Sequence, residues 1–481
     1  MEQRGQQVEQ QTLEDIVRQV CRELQTIEAL PATSDEPLAQ EHRADPDNGI
    51  FATMDEAITA AAAAQQTLFN SRLEVRSRII DAICAEVRPQ IEKLAHMGVQ
   101  ETGMGRVTDK ILKHQLVLDK TPGVEDLQAY AFTGDDGLTV LELSPYGVIG
   151  AITPSTNPTE TVICNAIGMI AAGNAVVFAP HPGARKVSLF AVELINQAIR
   201  KVGGPAHLVV TVAEPSHDNT RIMMEHPQIN MLVATGGPGL VKAVMSSGKK
   251  AIGAGAGNPP VLVDKTADIE KAAADIVAGC SFDNNIPCIA EKEVIAVNCI
   301  ADYLIFEMQK QGAWLLTEPH HIEALERLVL KDGKPVRDCI GRDAAWLLEA
   351  IGIQAPTSTR IILLETSSEH PFVQEEMLMP VLPLIRVEDA DEGIQLAKKV
   401  EHGFRHTAIV HSSDINVLSR YAKELETTIL VKNGPSFAGL GVGGEGHTTF
   451  TIAGPTGEGL TSARSFARNR RCVLVGSFAI K

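Results

Sequence analysis

Short apolar runs rich in β-branched residues recur along this chain, and segments with helical periodicity separate them. The runs lie at 147–153, 175–180, 207–213, 229–235, 260–264, 293–297, 360–365, 380–387, 407–411 and 428–431. Strands that alternate with helices predict parallel sheets covered by helices, and hence an α/β fold. A chain of 481 residues is too long for one core. We therefore predict a doubly wound domain at 49–250 and a second α/β domain at 251–440, which meet near Lys250.

The N-terminal segment follows a different pattern. An apolar stripe at helical spacing predicts an amphipathic helix within residues 1–30. The stripe consists of Leu13, Ile16, Val17, Val20, Cys21 and Leu24. Residues 31–48 are polar and contain three prolines, which predicts a flexible linker. Two interpretations stand: the tethered helix docks onto another protein, or it covers its own domain.

Charge and cysteine content limit the classes of partner. The chain has 43 Lys+Arg against 60 Asp+Glu, a net charge of −17 that repels polyanions, so nucleic acid and membranes are not expected partners. Its eight cysteines form no CxxC pair, so neither a disulfide framework nor a metal site is expected. No signal peptide and no apolar run of membrane-spanning length is present, which predicts a cytoplasmic protein.

The loops that follow the first four strands are rich in small residues. Open α/β sheets bind ligands beyond the carboxyl ends of their strands, and these loops read ITPSTNP, FAPHPGA, TVAEPSH and ATGGPG. The last of them, at 234–239, opens a helix whose unpaired N–H groups favour a phosphate. A Gly-Gly-Pro-Gly run is equally typical of a simple tight turn. The pattern places a candidate ligand site at this edge of the sheet.

Cys288 stands out from the other seven cysteines because of its surroundings. It lies in DNNIPCIAEKEV (283–294), where a polar loop precedes an apolar strand and can present a side chain to a cleft. A cysteine elsewhere is more often a small buried apolar residue. We therefore consider Cys288 the candidate nucleophile.

Several long motifs carry a family resemblance. They read GVIGAITPSTNPTET, VVFAPHPGARK, GAGAGNPPVLVD, DNNIPCIAEKEV, EEMLMPVLP and FTIAGPTGEGLTSARSFARNRRCVLV. In this order they resemble the aldehyde dehydrogenase superfamily over residues 49–481. Within it they are most similar to the CoA-acylating propionaldehyde and acetaldehyde dehydrogenases of bacterial microcompartments.

The resemblance implies a fold and a reaction. The fold is a Rossmann-type NAD-binding domain, an α/β catalytic domain and a β oligomerisation arm. In the reaction, Cys288 attacks an aldehyde, Asn157 and the Cys288 N–H hold the oxyanion, and the acyl group passes to coenzyme A. NAD is the expected cofactor, with NADP not excluded. The implied cofactor-binding residues are Thr153, Pro154, Ser155, Pro180, His181, Thr235, Gly236, Gly237, Gly255 and Glu376.

One substitution favours CoA over water as the acyl acceptor. Hydrolytic family members resemble Glu-Leu-Gly-Gly-Lys where this chain reads GAGAG at 253–257, so the usual carboxylate is lost. Water attack on a thioester needs a general base, whereas a thiol with a pKa of about 8.5 is already partly ionised near neutrality. Alternatively, 253–257 is only a strand edge and another acid serves. Three alternatives to a CoA-acylating enzyme remain: a hydrolytic aldehyde dehydrogenase, an acyl-phosphate reductase and a catalytically silent scaffold.

The two ends of the chain predict partners. By resemblance, a C-terminal strand within 441–481 and a strand within 130–145 build an arm that joins subunits into a dimer or tetramer. The tail contains Arg464, Arg468, Arg470 and Arg471, which form either a solvated patch or a group that attracts CoA phosphates. The helix at 1–30 resembles the peptides that dock enzymes onto a microcompartment shell or cargo protein, which predicts a location inside such a compartment. The aldehyde is left open between propionaldehyde and acetaldehyde.

Overall fold

The computed structural model describes residues 44–479. The amphipathic helix predicted at 1–30 lies outside the described residues, as does most of the predicted linker. The last part of that linker is described, and it contains a 3-10 turn at Pro46–Asn48.

Twenty strands and fifteen α-helices make up the described chain. The strands are β1 (Ile50–Phe51), β2 (Tyr130–Gly134), β3 (Gly137–Pro145), β4 (Val148–Thr153), β5 (Ala175–Pro180), β6 (Val209–Val212), β7 (Ile229–Thr235), β8 (Lys250–Ala254), β9 (Pro260–Val263), β10 (Glu293–Val297), β11 (Ala313–Leu315), β12 (Leu330–Lys331), β13 (Lys334–Pro335), β14 (Ile361–Glu365), β15 (Val381–Val387), β16 (Thr407–His411), β17 (Ile429–Lys432), β18 (Ile452–Ala453), β19 (Gly459–Leu460) and β20 (Ala467–Val475). The helices are α1 (Met54–Phe69), α2 (Glu74–Val87), α3 (Ile91–Thr102), α4 (Val107–Lys120), α5 (Pro158–Ala171), α6 (Arg185–Lys201), α7 (His217–Glu225), α8 (Pro238–Met245), α9 (Ile269–Ser281), α10 (Asn298–Lys310), α11 (Pro319–Val329), α12 (Ala344–Ala350), α13 (Pro371–Gln374), α14 (Ala390–Val400) and α15 (Ile415–Leu425).

The first sheet has six parallel strands in the order β1-β6-β5-β4-β7-β8. Every residue of β4 and β5 is buried, as expected for central strands covered on both faces. Helices α1 and α7 pack together and against the sheet, and so do α5 and α6. The doubly wound prediction is confirmed. The domain boundary predicted near Lys250 stays a prediction; Lys250 is the first residue of β8, and the first sheet continues to Ala254.

The second sheet has seven parallel strands in the order β11-β14-β15-β10-β9-β16-β17. The helix pairs α9–α10 and α14–α15 pack against it. The six strand predictions from 260 to 431 are all confirmed as members of this sheet. The two sheets therefore account for the predicted α/β fold.

A third, antiparallel sheet joins distant parts of the chain in the order β2-β3-β20. β20 pairs with β3 over nine residues, from Ala467↔Pro145 to Val475↔Gly137. The predicted arm strands near 138–143 and in the tail are thus paired with each other inside one chain. β2 and β20 are its edges, and their residues are almost all exposed.

Two absences hold for the part of the chain that the structure describes. No helix between residues 44 and 479 is long and apolar enough to cross a membrane. Over the same range, no cluster of His, Cys, Asp and Glu side chains has the arrangement of a metal site.

Candidate active site

Cys288 lies in the loop that leads into β10, and its side chain is half-buried. The three residues Asp283, Asn284 and Asn285 have φ angles of 47°, 54° and 66°. This left-handed region costs a non-glycine residue about 1–2 kcal/mol, so three such residues in a row persist only where their surroundings hold them. The cysteine therefore follows a strained and tightly held turn.

Hydrogen bonds to side chains hold that turn. Asn285 Nδ2 donates to the backbone oxygens of Cys280 and Glu291, both at 2.9 Å. Lys292 Nζ donates to Asn285 O at 2.9 Å and to Asn285 Oδ1 at 2.5 Å. Asn284 Nδ2 donates to Gly341 O at 2.9 Å. These contacts are buried, which fixes the backbone from which Cys288 projects.

The surroundings of Cys288 disfavour its thiolate. Burial raises the pKa of Cys288 to about 12, and the carboxyl of Glu376 adds to the rise. The ammonium groups of Lys292 and Lys113 act in the opposite direction but do not offset it. Because the thiolate is the nucleophilic form, the free site holds the sulfur as a thiol that must lose its proton during the reaction.

Glu376 and Gly257 lie beside the cysteine loop. Gly257 N donates to Glu376 Oε1 at 3.3 Å. A Cβ atom on Gly257 would lie 2.7 Å from Cys288 O, so only glycine allows this approach. Burial raises the pKa of Glu376, although Lys292 partly opposes the rise. The structure thus brings Glu376 next to Cys288, and its predicted contact with a ribose stays a prediction.

Asn157 occupies the N-cap of α5, where Pro158 takes the first helical position. The residue as a whole is only 8% exposed. Asn157 Oδ1 accepts a 2.6 Å hydrogen bond from Lys113 Nζ, and the same ammonium lies 2.5 Å from Asp283 Oδ2. The structure therefore brings Asn157 and the Cys288 loop together through one lysine of α4.

Most of the predicted cofactor residues line up along one edge of the first sheet. Thr153 is the register partner of Pro180, and Thr235 is the partner of Ala254, which precedes Gly255. Pro154 and Ser155 follow β4 and are half-buried. Thr153 Oγ1 is buried and has no hydrogen-bond partner among the described residues. That orphaned hydroxyl fits a site that a polar ligand completes.

His181 follows β5 at the same edge. Its Nδ1 accepts a hydrogen bond from Gly183 N at 3.0 Å, which leaves Nε2 to carry the proton. Burial, with Arg337 and His217 nearby, lowers the pKa of His181 to about 4. His181 can therefore meet a ligand as a neutral donor near neutrality, and not as a cation.

A cleft of about 310 Å³ is lined mainly by α8 and by the segment that follows β8. Its lining includes Pro238, Val241, Lys242, Gly255, Phe404 and Pro455. Gly236 N donates to Ala254 O at 3.0 Å, and the exposed Gly237 is the N-cap of α8. An apolar cleft beside a helix N-terminus suits the adenine and phosphates of a dinucleotide or of CoA.

Gly253 has no space for a side chain. A Cβ atom there would lie 2.6 Å from Val241 Cγ1, and its N–H donates to Thr456 Oγ1 at 3.2 Å. The predicted absence of a carboxylate at 253 thus has a steric basis in the packing of α8 on β8.

Sequence reasoning missed three buried residues of this site: Lys113, Lys292 and His406. His406 Nδ1 lies 2.8 Å from Thr407 Oγ1, while Nε2 has no partner in the described chain. Burial, with Lys292 nearby, lowers the pKa of His406 to about 4. A Cβ on Gly257 would meet both Cys288 O and His406 Cγ, so the histidine lies close to the cysteine loop. The available signal was the position of His406 just before the predicted strand at 407–411.

The sequence model of the Aldehyde dehydrogenase family matches residues 23–320 and 357–458. The chain belongs to the aldehyde dehydrogenase family. It is 51% identical over 434 residues to a CoA-propanoylating propanal dehydrogenase of Salmonella typhimurium, covering 90% of this chain and 93% of that protein. It is 47% identical over 478 residues to the acetylating acetaldehyde dehydrogenase of Escherichia coli, covering 98% and 99%. These family members are matched over nearly their whole lengths.

Solved structures of the family superpose closely. A Rhodopseudomonas palustris propionaldehyde dehydrogenase with bound CoA and an acylated cysteine has a TM-score of 0.89 and 59% identity, covering 90% of this chain and 100% of that one. An engineered glycolyl-CoA reductase with bound NADP+ has a TM-score of 0.90 and 59% identity, covering 91% and 100%. A propionaldehyde dehydrogenase from a fucose utilisation microcompartment of Clostridium phytofermentans has a TM-score of 0.89 and 52% identity, covering 90% and 100%.

The Clostridium phytofermentans protein has also been solved as two alanine variants. One replaces a cysteine and the other a histidine, and the two positions are as far apart in sequence as Cys288 and His406. This equal spacing is consistent with a correspondence between the two pairs.

Proposed function

We propose that this chain oxidises a short-chain aldehyde with NAD or NADP and transfers the acyl group to coenzyme A through a thioester on Cys288. One observation carries the proposal: Lys113 joins Asn157 to the Cys288 loop, at a site where position 253 has no room for a base. The family relatives named for CoA-acylating activity support it. Propionaldehyde and acetaldehyde are both candidate substrates.

Residues of this chain supply the nucleophile and the hydrogen-bond donors to the oxyanion. When the Cys288 sulfur bonds to the carbonyl carbon, its S–H bond breaks with the proton released to water, and the π pair of the carbonyl moves onto its oxygen as negative charge. Asn157 Nδ2 and the Cys288 N–H are the proposed donors to that oxygen. A bound nicotinamide supplies the hydride acceptor that oxidation of this adduct requires. The product on the protein is an acyl thioester of Cys288, which must be released.

Release to a thiol suits this site better than release to water. Gly253 cannot carry the carboxylate that would activate water, because Val241 occupies the space. The thiol of CoA, with a pKa of about 8.5, ionises without such a base. Attack by its sulfur forms acyl-CoA and returns Cys288 as the leaving thiolate. Hydrolysis is the second candidate, and the raised pKa of the nearby Glu376 carboxyl is what favours it.

We infer the binding residues from the same geometry. Thr153, His181 and Gly237 lie where a dinucleotide would meet the edge of the first sheet, and Glu376 would face its nicotinamide end beside Cys288. The first sheet, through Ala254, forms the proposed cofactor domain. The domain built on the second sheet carries Cys288, in the loop that leads into β10.

Two further proposals concern partners. We propose that the β2-β3-β20 sheet joins subunits, since its outer strands carry exposed apolar residues and, within residues 44–479, have no partner strand on their outer edges. We also propose that residues 1–30 dock onto a shell or cargo protein of a bacterial microcompartment. The apolar stripe supports the docking, and so does the microcompartment origin of a 52% identical relative.

The test of the reaction is NADH formation from propionaldehyde and NAD, with and without CoA. We expect formation that requires CoA and is absent in Cys288→Ala. Sustained formation without CoA would show that water is the acceptor and would refute the interpretation of Gly253.

A further inference from the structure

Four ionisable side chains form a buried network behind the candidate active site. Lys113 Nζ lies 3.0 Å from Glu160 Oε1 and 2.5 Å from Asp283 Oδ2. Lys110 Nζ lies 3.1 Å from Asp283 Oδ2. The side chains of Lys113, Glu160 and Asp283 are wholly buried, and that of Lys110 is 3% exposed. Two cations thus face two anions without solvent.

The charges on Lys113 and Glu160 are stabilised by their partners, whereas burial lowers the pKa of Lys110. Burial alone would lower the pKa of Lys113, but Asp283 and Glu160 raise it above its ordinary value. Burial alone would raise the pKa of Glu160, but Lys113 and its neighbours lower it to about 2. Buried ion pairs are a poor source of stability, because apolar residues of similar volume often do as well or better. A role in positioning other groups of the site explains these buried charges better than a contribution to stability does.

Lys113 determines which end of the Asn157 amide faces the site. An ammonium group can only donate, so its 2.6 Å contact must be with the amide oxygen, Oδ1. Nδ2 is thereby turned away from the network, and its hydrogen bond in the described chain is a long one, 3.4 Å to Thr156 Oγ1. The positive charge of Lys113, in contact with Oδ1, also polarises the amide and strengthens Nδ2–H as a donor.

The same lysine holds the turn that precedes Cys288. Asp283 is the first of the three left-handed residues, and both of its carboxylate oxygens are engaged. Oδ2 meets Lys113 and Lys110, while Oδ1 accepts from Arg106 N at 2.6 Å. Lys113 Nζ therefore contacts both the Asn157 amide and the turn that precedes Cys288.

We propose that Lys113 is a positioning residue, which orients and polarises the Asn157 amide against the Cys288 turn and so stabilises the oxyanion through Asn157. This inference rests on the proposed function, because it assigns a role within that reaction. Lys113 itself touches no reacting atom.

A double-mutant cycle tests the inference in the full chain. The variants are Lys113→Met, Asn157→Ala and the double variant, and the readout is kcat for CoA-dependent NADH formation. Loss of one oxyanion donor costs about 10²- to 10³-fold in kcat, so Asn157→Ala should show a loss of this size. Lys113→Met should lose at least about tenfold in an otherwise unchanged protein, and only a few-fold when Asn157 is already alanine, because its effect passes through the amide.

Lys110→Met is the matched control. It also removes a cation from Asp283, but it leaves the contact to Asn157 in place. Its loss in kcat should be the same with Asn157 or Ala at 157. If Lys113→Met does not fold, Lys113→Arg keeps the charge and moves the donors, and the same cycle is run with it.

The outcomes separate the two claims. An unmodified protein without CoA-dependent turnover would refute the proposed function. With that turnover present, losses that multiply in the Lys113/Asn157 pair, or a Lys113 variant with unchanged kcat, would overturn the positioning role alone.

Discussion

Replacing Gly253 by alanine tests the steric basis of the missing carboxylate. The new Cβ would lie 2.6 Å from Val241 Cγ1, about 0.8 Å closer than the 3.4 Å at which ordinary contact begins. Val241 is 5% exposed and lies in α8, where a β-branched side chain has one strongly preferred rotamer. The Val241 side chain cannot rotate away from the new Cβ, so α8 and β8 must move apart. Such overpacking costs about 1–3 kcal/mol.

Thermal unfolding of four proteins measures this cost. We expect Gly253→Ala to unfold at a lower temperature than the unmodified chain. Val241→Ala alone should also destabilise, because it removes buried methyl groups. The double variant should be more stable than the sum of the two losses predicts, since the second change removes Cγ1. Gly253→Ala with unchanged stability, or additive losses in the double variant, would refute the steric explanation.

Two further predictions concern the thiol and the N-terminus. Alkylation of Cys288 by iodoacetamide in the free protein should accelerate about tenfold for each pH unit from about 7 to 9, because a pKa of about 12 makes the thiolate fraction rise with hydroxide. Cys288→Ala gives the background from the exposed Cys299 and Cys472, and a plateau below about pH 8 would contradict the raised pKa. Deleting residues 1–30 should leave turnover intact and abolish co-purification with microcompartment shells, whereas unchanged co-purification would rule out the docking role.

Strands were predictable from sequence where apolar residues are dense. β10 has the bounds that the run EVIAV predicts, in which four of the five residues are apolar, and all five are buried. β8 was missed because it begins with an exposed lysine and contains Gly253, so no β-branched run marks it. The domain boundary predicted near Lys250 therefore coincides with the first residue of a strand that the sequence did not mark. β8 belongs to the first sheet because it pairs with β7, and sequence periodicity does not show which strands pair.

The site was predictable only in part. Cys288 and Asn157 lie in long motifs, so a resemblance could locate them. Lys113 was missed because lysine is rarely buried, and its burial depends on partners 44 and 170 positions away. His406 likewise acquires its environment from Gly257 and Lys292, which come from other loops. Contacts between distant segments have no signature in local spacing.

The most direct measurement is the intact mass of the protein after incubation with propionaldehyde and NAD in the absence of CoA. We expect a mass increase of one propionyl group that maps to Cys288, persists in buffer and disappears on addition of CoA, with formation of propionyl-CoA. Release of free propionate before CoA is added, or a label on a residue other than Cys288, would contradict acyl transfer through a Cys288 thioester.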